Sequence, residues 1–449
     1  MSTDKKAPDA IHFRSLHLEN VRGFASSQSL ELVDKNGKPS LWNLILGENG
    51  VGKTTLMETL KVMQPIPAAP WSEKTVDSGP PPLSRALLSE RDNQDILHFI
   101  RRGGIRTTRM NAKFETQEGK TLEIRSVIKG SDKELEEVDF SDFQHELRSE
   151  GPLVLFYGAA RRVENITSAD DTERVATKSP LLEVDALADA QEILENLDYQ
   201  AKSSKNGADE RLLERMKTVV ARLLPEDIKA EDIEVRGPRA LGGGVHVRTP
   251  SGMMPFADLS LGYRTMFSWT VDLAWRLFEA FPGSVDPLAE SAIVLIDEVD
   301  LHFHPRWQRN LRQRLLEQFP KVQFIATTHN PVTAQQTLSE GGNVAVVGWA
   351  GEEAHILNNP IPRDEWRFDQ ILTSKLFGFG SGRTQETEEK LYERLKLIQK
   401  PNRSAEEEER LRKLDEFVAS LPTASSPSAQ SLEELMMDLA KGFPSKEAQ

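Results

Sequence analysis

The stretch LILGENGVGKTTLMETL, residues 44–60, decides the fold class of this 449-residue chain. From Gly47 to Thr54 it matches the spacing G-x-x-x-x-G-K-[ST] at every fixed position. The apolar run LWNLIL before it predicts a buried strand, and TTLMETLKVM after it predicts a helix. A glycine-rich turn in that context points backbone N–H groups at a polyphosphate, so the stretch predicts an α/β fold that binds a nucleotide. The alternative is a glycine-rich turn that matches by chance.

The residue types of this loop suit a polyphosphate. Lys53 brings a point charge close to the β- and γ-phosphates, and the hydroxyl of Thr54 can hold Mg²⁺. The loop alone indicates only a nucleotide, so the rest of the site has to come from downstream. The predicted nucleotide-binding residues of the loop are Gly47, Asn49, Gly50, Gly52, Lys53, Thr54 and Thr55.

Composition excludes several classes of protein. The chain is 38% hydrophobic and 28% charged, carries a formal net charge of −14 and contains no cysteine. Disulfides, thiolate nucleophiles and cysteine-ligated zinc are therefore excluded, and a reducing cytoplasm is expected. No apolar run approaches the roughly 18 residues of a membrane span, and the start MSTDKKAPDA lacks the apolar core of a signal peptide. The acidic balance argues against a uniformly basic nucleic-acid coat but is compatible with a local basic face.

A second motif, SAIVLIDEVDLHFHP at residues 291–305, supplies acidic residues. Ala292–Ile296 predicts a short strand of the kind buried in a parallel sheet, with Asp297 and Glu298 at its carboxyl end, where ligands bind. Asp297 is predicted to reach Mg²⁺ through water, and Glu298 is predicted to be the general base that orients the attacking water. The alternative is an acidic turn that caps a helix.

Two further stretches indicate the kind of ATPase. ADLSLGYRTM at residues 257–266 opens a long apolar helix, and FIATTHNP at residues 324–331 predicts a buried strand that ends in a histidine. The four motifs, in this order, resemble those of the ABC ATPases. Ser260 and Gly262 lie in a stretch, LSLG, that resembles the family signature, while Asp300 and His329 fall where the D-loop aspartate and the switch histidine fall. Taken singly, LSLG would be a serine-capped helix start, and the histidine would be structural.

The resemblance, which covers about residues 11–347, implies a mechanical ATPase. In ABC ATPases the signature of one subunit covers the γ-phosphate held by the phosphate loop of another, so two heads close over two ATP molecules. Ser260 and Gly262 would then act in trans, and Asp300 would join the nucleotide site. The implied catalytic residues are Lys53, Glu298 and His329, with ATP and Mg²⁺ as cofactors and Thr54 and Asp297 at the metal.

Two other stretches resemble particular branches of the superfamily. IHFRSLHLENVRGF at the start resembles the first strands of SMC, RecF and OLD proteins, in which an arginine of the turn reaches the nucleotide; Arg22 matches it, and a surface arginine in a β-turn is the alternative. FYGAARR at residues 156–162 resembles short-armed ATPases that pair with nucleases in phage defence, such as the ATPase subunits of Septu and retron-associated systems. The glutamine expected near the γ-phosphate has two candidates, Gln144 and Gln64.

The predicted fold class is α/β: a P-loop ABC-type ATPase head with a mixed sheet, a short helical lobe and a helical C-terminal tail. The head is predicted over residues 1–180 and 230–350, with a loop and β-hairpin insertion at about 65–150. Residues 181–229 are predicted to form a helical lobe that is too short for a coiled-coil rod. The tail is predicted to comprise a helical extension at 351–421, in which Ser404 and Glu407 form a capping box, and a linker with a terminal helix at 422–449.

The terminal helix places apolar residues on one face, and we expect this face to dock an effector or, alternatively, to pack on its own head. No nuclease chemistry is visible in the tail, which is too short for the Toprim domain of OLD proteins and has no histidine after His355. The apolar residues are Leu432, Leu435, Met436 and Leu439.

These observations lead to three functional hypotheses. The first is an ATP-hydrolysing ABC-type ATPase whose head dimerisation controls a separate effector nuclease, of HNH or Toprim type, in anti-phage defence. The second is a RecF-like DNA-repair ATPase that binds duplex DNA through a basic stripe; the alternative for the stripe is a charged solvent face. The third is a regulatory ATPase without a nucleic-acid connection. The stripe would comprise Arg306, Arg309, Arg312 and Arg314.

The expected partners follow from these hypotheses. They are a second copy of the chain, in a homodimer or higher homo-oligomer through ATP-bridged heads, a separate nuclease subunit, and DNA or RNA. Contact with a membrane is not expected, and the expected location is cytoplasmic.

Overall fold

The computed structural model describes residues 10–67, 83–91, 93–131, 133–139, 151–162, 182–203, 207–224, 228–237, 243–301, 303, 305–359, 385–400 and 404–419. The chain divides into two compact units, Met1–Glu365 and Trp366–Gln449. We call the described part of the first unit the head. Within the described residues no helix is long and apolar enough to span a membrane.

The strands of the head follow the apolar runs of the sequence. Those that precede the phosphate loop, the acidic pair and His329 are fully buried, as parallel strands covered on both faces require. The strands are β1 (Ile11–Glu19), β2 (Gln28–Glu31), β3 (Trp42–Leu46), β4 (Pro65–Pro67), β5 (Leu83–Ala86), β6 (Arg106–Thr116), β7 (Thr121–Gly130), β8 (Leu135–Asp139), β9 (Val154–Arg162), β10 (Leu182–Ala186), β11 (Ile233–Val235), β12 (Val245–Thr249), β13 (Gly252–Pro255), β14 (Ala292–Ile296), β15 (Val322–Thr328), β16 (Asn343–Ala350) and β17 (Glu353–Asn358).

The described residues also contain ten α-helices, besides short 3₁₀ helices. Two of them, at residues 190–203 and 208–223, pack on each other within the range 181–229 that was predicted as the helical lobe. The first residues of that range instead form β10 at the edge of a sheet. The helices are α1 (Lys53–Val62), α2 (Asn93–Leu97), α3 (Ala190–Ser203), α4 (Ala208–Leu223), α5 (Leu261–Ala280), α6 (Pro305–Gln308), α7 (Leu311–Gln318), α8 (Pro331–Ser339), α9 (Gln385–Gln399) and α10 (Ala405–Ala419).

The sheet that positions the site has the order β10-β9-β14-β15-β3-β16-β17. Its neighbours pair in parallel except for the last hairpin, β16 with β17. The phosphate-loop strand β3 therefore lies between β15, which is followed by His329, and β16. Because all these parallel strands point the same way, their carboxyl ends meet at one edge, which is where α/β sheets bind ligands.

A second, antiparallel sheet of order β2-β1-β6-β7-β8 packs with the first around one apolar core. The core takes residues from β1, β6 and β7, from the inner face of α1, and from β14, β16 and β17. The β-hairpin predicted within the insertion at about 65–150 is present as β6 and β7, which are joined through a turn in which Gly119 has a φ of 83°. The α/β class with a mixed sheet is thus confirmed.

The second unit is described only as the helices α9 and α10. They form an antiparallel hairpin held by ion pairs, among them the bidentate contact of Arg410 with Glu393 at 2.8 and 2.7 Å. The predicted capping box is confirmed, since Glu407 N donates to Ser404 Oγ at 3.2 Å and Ser404 N donates to Glu407 Oε2 at 3.0 Å. The predicted terminal helix lies outside the described residues.

Candidate nucleotide-binding site

The phosphate loop leaves β3 at Gly47 and enters α1 at Lys53, and two of its glycines are required by close approaches. A Cβ on Gly47 would lie 2.5 Å from the carbonyl oxygen of Val347 in β16. Gly52 has a φ of 105°, a conformation that favours glycine, and a Cβ there would lie 3.0 Å from the Phe24 ring. The loop is therefore packed against both β16 and the turn after β1.

Lys53 is folded back into the loop that precedes it. Its Nζ donates to the carbonyl oxygens of Gly47 and Glu48 at 2.7 and 2.8 Å, and the residue is 6% exposed. Burial lowers the pKa of Lys53, while the charges of Asp297, Glu298 and Glu48 act in the opposite direction. A buried cation whose hydrogen-bond partners are neutral carbonyls is placed to gain from an anionic ligand.

Asp297 is tied to the phosphate loop and to the neighbouring strand. Its backbone N donates to Tyr157 O at 2.8 Å, which continues the ladder from β14 to β9. Its Oδ2 accepts a hydrogen bond of 3.0 Å from Thr54 Oγ1, and its Oδ1 accepts a short hydrogen bond from Thr327 Oγ1 in β15. The two threonines thus fix the orientation of the carboxylate toward the loop.

Glu298 has a left-handed backbone, with a φ of 50°. Non-glycine residues are uncommon in this region and are found there where neighbouring contacts hold them. Here the backbone N of Glu298 donates to Thr327 Oγ1 at 2.8 Å. Thr327 is fully buried and therefore connects both acidic residues. Sequence reasoning missed Thr327; the available signal was a pair of hydroxyl residues at the end of the apolar run FIATTHNP.

The loop and the acidic pair line one open cavity of about 350 Å³. Its surface combines backbone N–H groups at the start of α1, one ammonium group, one hydroxyl-carboxylate pair and a second carboxylate. This donor set suits a polyphosphate with a divalent cation. The lining residues are Asn49, Gly50, Gly52, Lys53, Thr54, Thr55, Asp297 and Glu298, all of which were predicted from the sequence.

Arg22 lies next to this cavity without lining it. Its φ is 48°, and its Nη1 donates to Glu58 Oε2 at 2.9 Å and to Thr55 Oγ1 at 3.3 Å, both in α1. His98 contacts the same carboxylate of Glu58 at 3.3 Å. The predicted arginine is therefore close to the first turn of α1 and is paired with Glu58.

Several predicted site residues are not brought to the cavity. Asp300 is 6% exposed, and its carboxylate accepts hydrogen bonds from Thr328 Oγ1 at 2.8 Å and from Thr333 Oγ1 at 2.7 Å, so it faces the interior of the head. His329 is exposed at the end of β15. Ser260 and Gly262 lie at the start of α5, where Ser260 is exposed.

The structure also bears on the alternatives to these motifs. Ser260 occupies the N-cap position of α5, but its side chain makes no capping hydrogen bond. No helix starts directly after Glu298, since residues 297–301 form turns. Of the glutamine candidates, Gln64 is buried after α1 and does not line the cavity, whereas Gln144 lies outside the described residues.

The arginines of the predicted basic stripe do not lie on one continuous helix. Residues 305–318 form two helices, α6 and α7, separated at Arg309 and Asn310. Arg312 Nη1 donates to Glu340 Oε2 at 2.6 Å, and Arg314 Nη1 donates to Leu224 O at 2.5 Å. These two arginines join elements of the head, because their guanidinium groups satisfy a carboxylate and a helix-terminal carbonyl.

Comparison with known proteins places this geometry in a family. Residues 43–334, which include every motif from the phosphate loop to His329, match the family described as "AAA domain, putative AbiEii toxin, Type IV TA system". The chain belongs to this family. Residues 15–64 also match a family described as "AAA domain".

The relatives of this AAA-domain chain include proteins named for Septu and retron systems. It is 38% identical to Septu protein PtuA of Bacillus mycoides over 27% of its own length and 16% of that protein. It is 50% identical to the "Retron Ec83 probable ATPase" of Escherichia coli over 16% of its length and 14% of that protein. The alignments thus span less than a fifth of these two relatives. The predicted resemblance to Septu and retron-associated ATPases is confirmed.

A solved structure of an SMC head domain from Thermotoga maritima is also similar. It matches with a TM-score of 0.41 and 13% identity, over 77% of this chain and 98% of that one.

Proposed function

We propose that the chain is a Mg²⁺-dependent ATPase whose heads dimerise around ATP and thereby control a separate effector nuclease in anti-phage defence. The main support for this proposal is that Thr54, Asp297 and Glu298 lie together in one cavity at the phosphate loop, at the carboxyl edge of the sheet. Kinship with the Septu and retron-associated ATPases supports the defence context.

The residues of the cavity would have different roles in ATP hydrolysis. The N–H groups at the start of α1 and the Lys53 ammonium would neutralise the phosphates. Glu298, whose backbone is held by Thr327, would orient the attacking water and accept its proton. Phosphoryl transfer depends mainly on such positioning and charge stabilisation, so a fixed backbone at Glu298 is an advantage for catalysis.

The site fits Mg²⁺ through its oxygen donors. The Thr54 hydroxyl and the Asp297 carboxylate lie 3.0 Å apart in the cavity, and Mg²⁺ is commonly bound by one or two such groups together with substrate phosphates and water. Thr54 would hold the ion directly and Asp297 through water. When bound, the ion would neutralise charge that develops on the phosphates.

Steady-state phosphate release tests the ATPase proposal. Lys53→Ala should lose nucleotide binding or turnover, because it removes the charge inside the loop. Glu298→Gln should bind ATP as wild type does and lose turnover, because the amide keeps the size of the side chain without its basicity. If Glu298→Gln turned over within a few-fold of wild type, Glu298 would not be the base.

A mixing experiment tests the sharing of sites between two heads. Ser260→Arg should block turnover without weakening ATP binding to the single head, because Ser260 is exposed outside the cavity. A mixture of Lys53→Ala and Ser260→Arg proteins should recover activity, since a mixed dimer contains one intact phosphate loop facing one intact signature. If the subunits exchange but the mixture does not recover ATP turnover, Ser260 does not act in trans.

The control of a nuclease is tested through the C-terminal segment. We propose that residues beyond Leu421 dock the nuclease, because the sequence predicts a terminal helix with one apolar face, and such a helix needs a surface to cover it. A chain truncated after Leu421 should hydrolyse ATP and melt as the full chain does, but fail to co-purify with a nuclease encoded by an adjacent gene. An intact complex combined with a lowered melting temperature would show that the segment completes its own head.

The second candidate function is a RecF-like ATPase that binds duplex DNA. It has less support, because Arg312 and Arg314 of the proposed basic stripe are engaged within the head. Electrophoretic mobility shift with duplex DNA in the presence of ATP tests it. The DNA-binding function would be favoured if wild type shifted the DNA and Arg309→Gln shifted it much more weakly. Arg309 is the exposed arginine between α6 and α7.

A further inference from the structure

The cavity described above can hold phosphates, but none of its lining residues offers a surface for a base. Its lining consists of the glycine-rich loop, Lys53, two threonines and the acidic pair. A nucleotide extends beyond its phosphates, so its base must lie outside this cavity. The side on which it emerges follows from the order of the strands.

The sheet order separates the two ends of the nucleotide. Asp297 and Glu298 follow β14, which lies two strands from β3 on one side, while β16 is the neighbour of β3 on the other side. Because the acidic pair acts on the terminal phosphate, that phosphate lies toward β14. The opposite end of the nucleotide is therefore directed toward β16.

Trp349 lies on β16, on the side of the phosphate loop to which the base is directed. Val346 is in register with Leu46, the last residue of β3, and the next residue, Val347, contacts the loop at Gly47. Trp349 is three residues beyond Val346, so it lies about 10 Å past the end of β3 along the strand direction. It is on the same face of the strand as Val347, since side chains two residues apart share a face.

The ring of Trp349 is supported on one side and open on the other. A Cβ built on Gly23 would lie 3.4 Å from the ring, so the ring rests over the turn that carries Arg22. Ala354, the residue opposite Trp349 in β17, lies beside the same turn, since the Cβ built on Gly23 would lie 3.5 Å from the Ala354 Cβ. The residue is nevertheless 53% exposed, which is unusual for the largest apolar side chain.

The hairpin that carries Trp349 is fixed to this turn. Ala354 N donates to Gly23 O at 2.9 Å. Arg101 donates to Gly23 O at 3.0 Å and to Glu352 O at 3.4 Å, which joins the turn to the hairpin. Arg22, on the same turn, contacts Thr55 in the first turn of α1. The hairpin that carries the ring is thus tied to the turn that packs against the phosphate loop and α1.

We infer that Trp349 is the platform on which the base of the bound nucleotide stacks. The inference rests on the proposed ATPase function and names the part of the protein that recognises the base. An exposed, rigid aromatic ring provides a flat surface that fits the face of a purine, and stacking of this kind does not depend on the edge groups of the base. Trp349 would therefore bind ATP and GTP alike.

Binding measurements with two ligands test this assignment. The probes are MgATP and inorganic tripolyphosphate, which has the phosphates but no base, each measured by calorimetry. Trp349→Ala should weaken MgATP binding by about tenfold or more, in line with the loss of one base-aromatic stack. Its affinity for tripolyphosphate should stay within about twofold, because the phosphate cavity is intact. Trp349→Phe should restore most of the affinity for MgATP.

Leu357→Ala is the matched control. Leu357 is 56% exposed on the same hairpin, but it pairs with Val346 and so lies on the opposite face from Trp349. Its removal should change neither affinity. In wild type, MgATP should quench tryptophan emission more than tripolyphosphate does, and this difference should disappear in Trp349→Phe.

The outcomes separate the platform from the proposed function. MgATP binding by Trp349→Ala equal to that of wild type would overturn the platform and leave the ATPase proposal standing. An equal loss of both ligands would also overturn it, because the ring would then only support the loop. A change in self-association with unchanged ATP affinity would assign Trp349 to a contact between copies instead. Failure of wild type to bind either ligand would overturn the proposed function itself.

Discussion

Thr54 and Asp297 are joined by a hydrogen bond of 3.0 Å, in which the Thr54 hydroxyl donates to Asp297 Oδ2. The two residues are 243 positions apart in the sequence, and they meet because β14 and β3 belong to one parallel sheet whose strands end at the same edge. The fold thus brings together the hydroxyl and the carboxylate that would hold Mg²⁺.

The first prediction concerns this pair. Thr54→Val keeps the shape of the side chain but removes the hydroxyl, so the Mg²⁺ concentration for half-maximal turnover should rise by about tenfold or more. Thr54→Ser should behave as wild type. The readout is ATP turnover as a function of Mg²⁺ concentration.

Thr59→Val is the control for this experiment. Thr59 is in the same helix, and its buried hydroxyl donates to Thr55 O at 2.7 Å, away from the cavity. Its Mg²⁺ dependence should match that of wild type. An unchanged Mg²⁺ dependence in Thr54→Val would remove Thr54 from the metal site.

The second prediction is that Thr327 positions Glu298. Thr327→Val removes the hydroxyl that accepts from Glu298 N and donates to Asp297, so kcat should fall about tenfold or more while KM stays within a few-fold. Thr327→Ser should restore turnover. Steady-state kinetics over a range of ATP concentrations separates the two parameters.

Two further variants distinguish positioning from general stability. Thr270 is equally buried, and its hydroxyl donates to Met266 O at 2.7 Å within α5, so Thr270→Val should leave kcat unchanged. In a Glu298→Gln background, Thr327→Val should cause little additional loss, because both changes act on the same step. Independent, multiplicative losses would argue that Thr327 acts elsewhere.

The sequence motifs predicted the residues that line the cavity because each motif and its flanking strand or helix lie in one continuous stretch of sequence. The phosphate loop, the strand before it and the helix after it are encoded in one stretch, and the buried strands that end at Asp297 and His329 are visible as apolar runs. The spacing of such motifs is enough to predict that strand ends meet, because parallel strands in an α/β sheet share one ligand-binding edge.

Residues whose roles depend on register could not be predicted in this way. Thr327 reaches Asp297 because Ala326 pairs with Ile296, and Trp349 reaches Gly23 because β16 continues past β3. Neither pairing follows from a local pattern. Asp300 falls at a position typical of the D-loop, yet its carboxylate points inward because it accepts hydrogen bonds from Thr328 and Thr333. The spacing of the motifs does not predict these hydrogen bonds.

The third prediction concerns pH and Lys53 in the absence of nucleotide. Burial lowers the pKa of Lys53 in the folded protein, so the unfolded chain keeps this proton to a higher pH than the folded chain does. Between the lowered pKa and the ordinary value of about 10.4, the unfolded state binds more protons, and the contribution of Lys53 to stability rises with pH.

Urea denaturation of wild type and Lys53→Met at about pH 8 and about pH 10 measures this effect. The free energy of unfolding of wild type minus that of the variant should be larger at the higher pH. Lys35→Met, which removes an exposed lysine, should show no such change. A difference for Lys53→Met that is constant or falls with pH would contradict the lowered pKa.

The fourth prediction concerns Asp272, which anchors the signature helix α5. Asp272 is fully buried, and its carboxylate accepts hydrogen bonds from Tyr157 Oη at 2.8 Å, from Ala188 N at 3.0 Å and from Arg276 Nε at 2.7 Å. Asp272→Ala should lower the free energy of unfolding by about 3–5 kcal/mol, because it leaves the Arg276 charge buried without this carboxylate. Tyr157→Phe should cost only about 1 kcal/mol, the net contribution of one hydrogen bond. Chemical denaturation of these two variants and of the double variant Asp272→Ala/Arg276→Met measures the free energies of unfolding. The double variant should be more stable than Asp272→Ala alone, because it no longer contains the Arg276 charge. A double variant that is no more stable than Asp272→Ala would show that this charge is not what destabilises the helix.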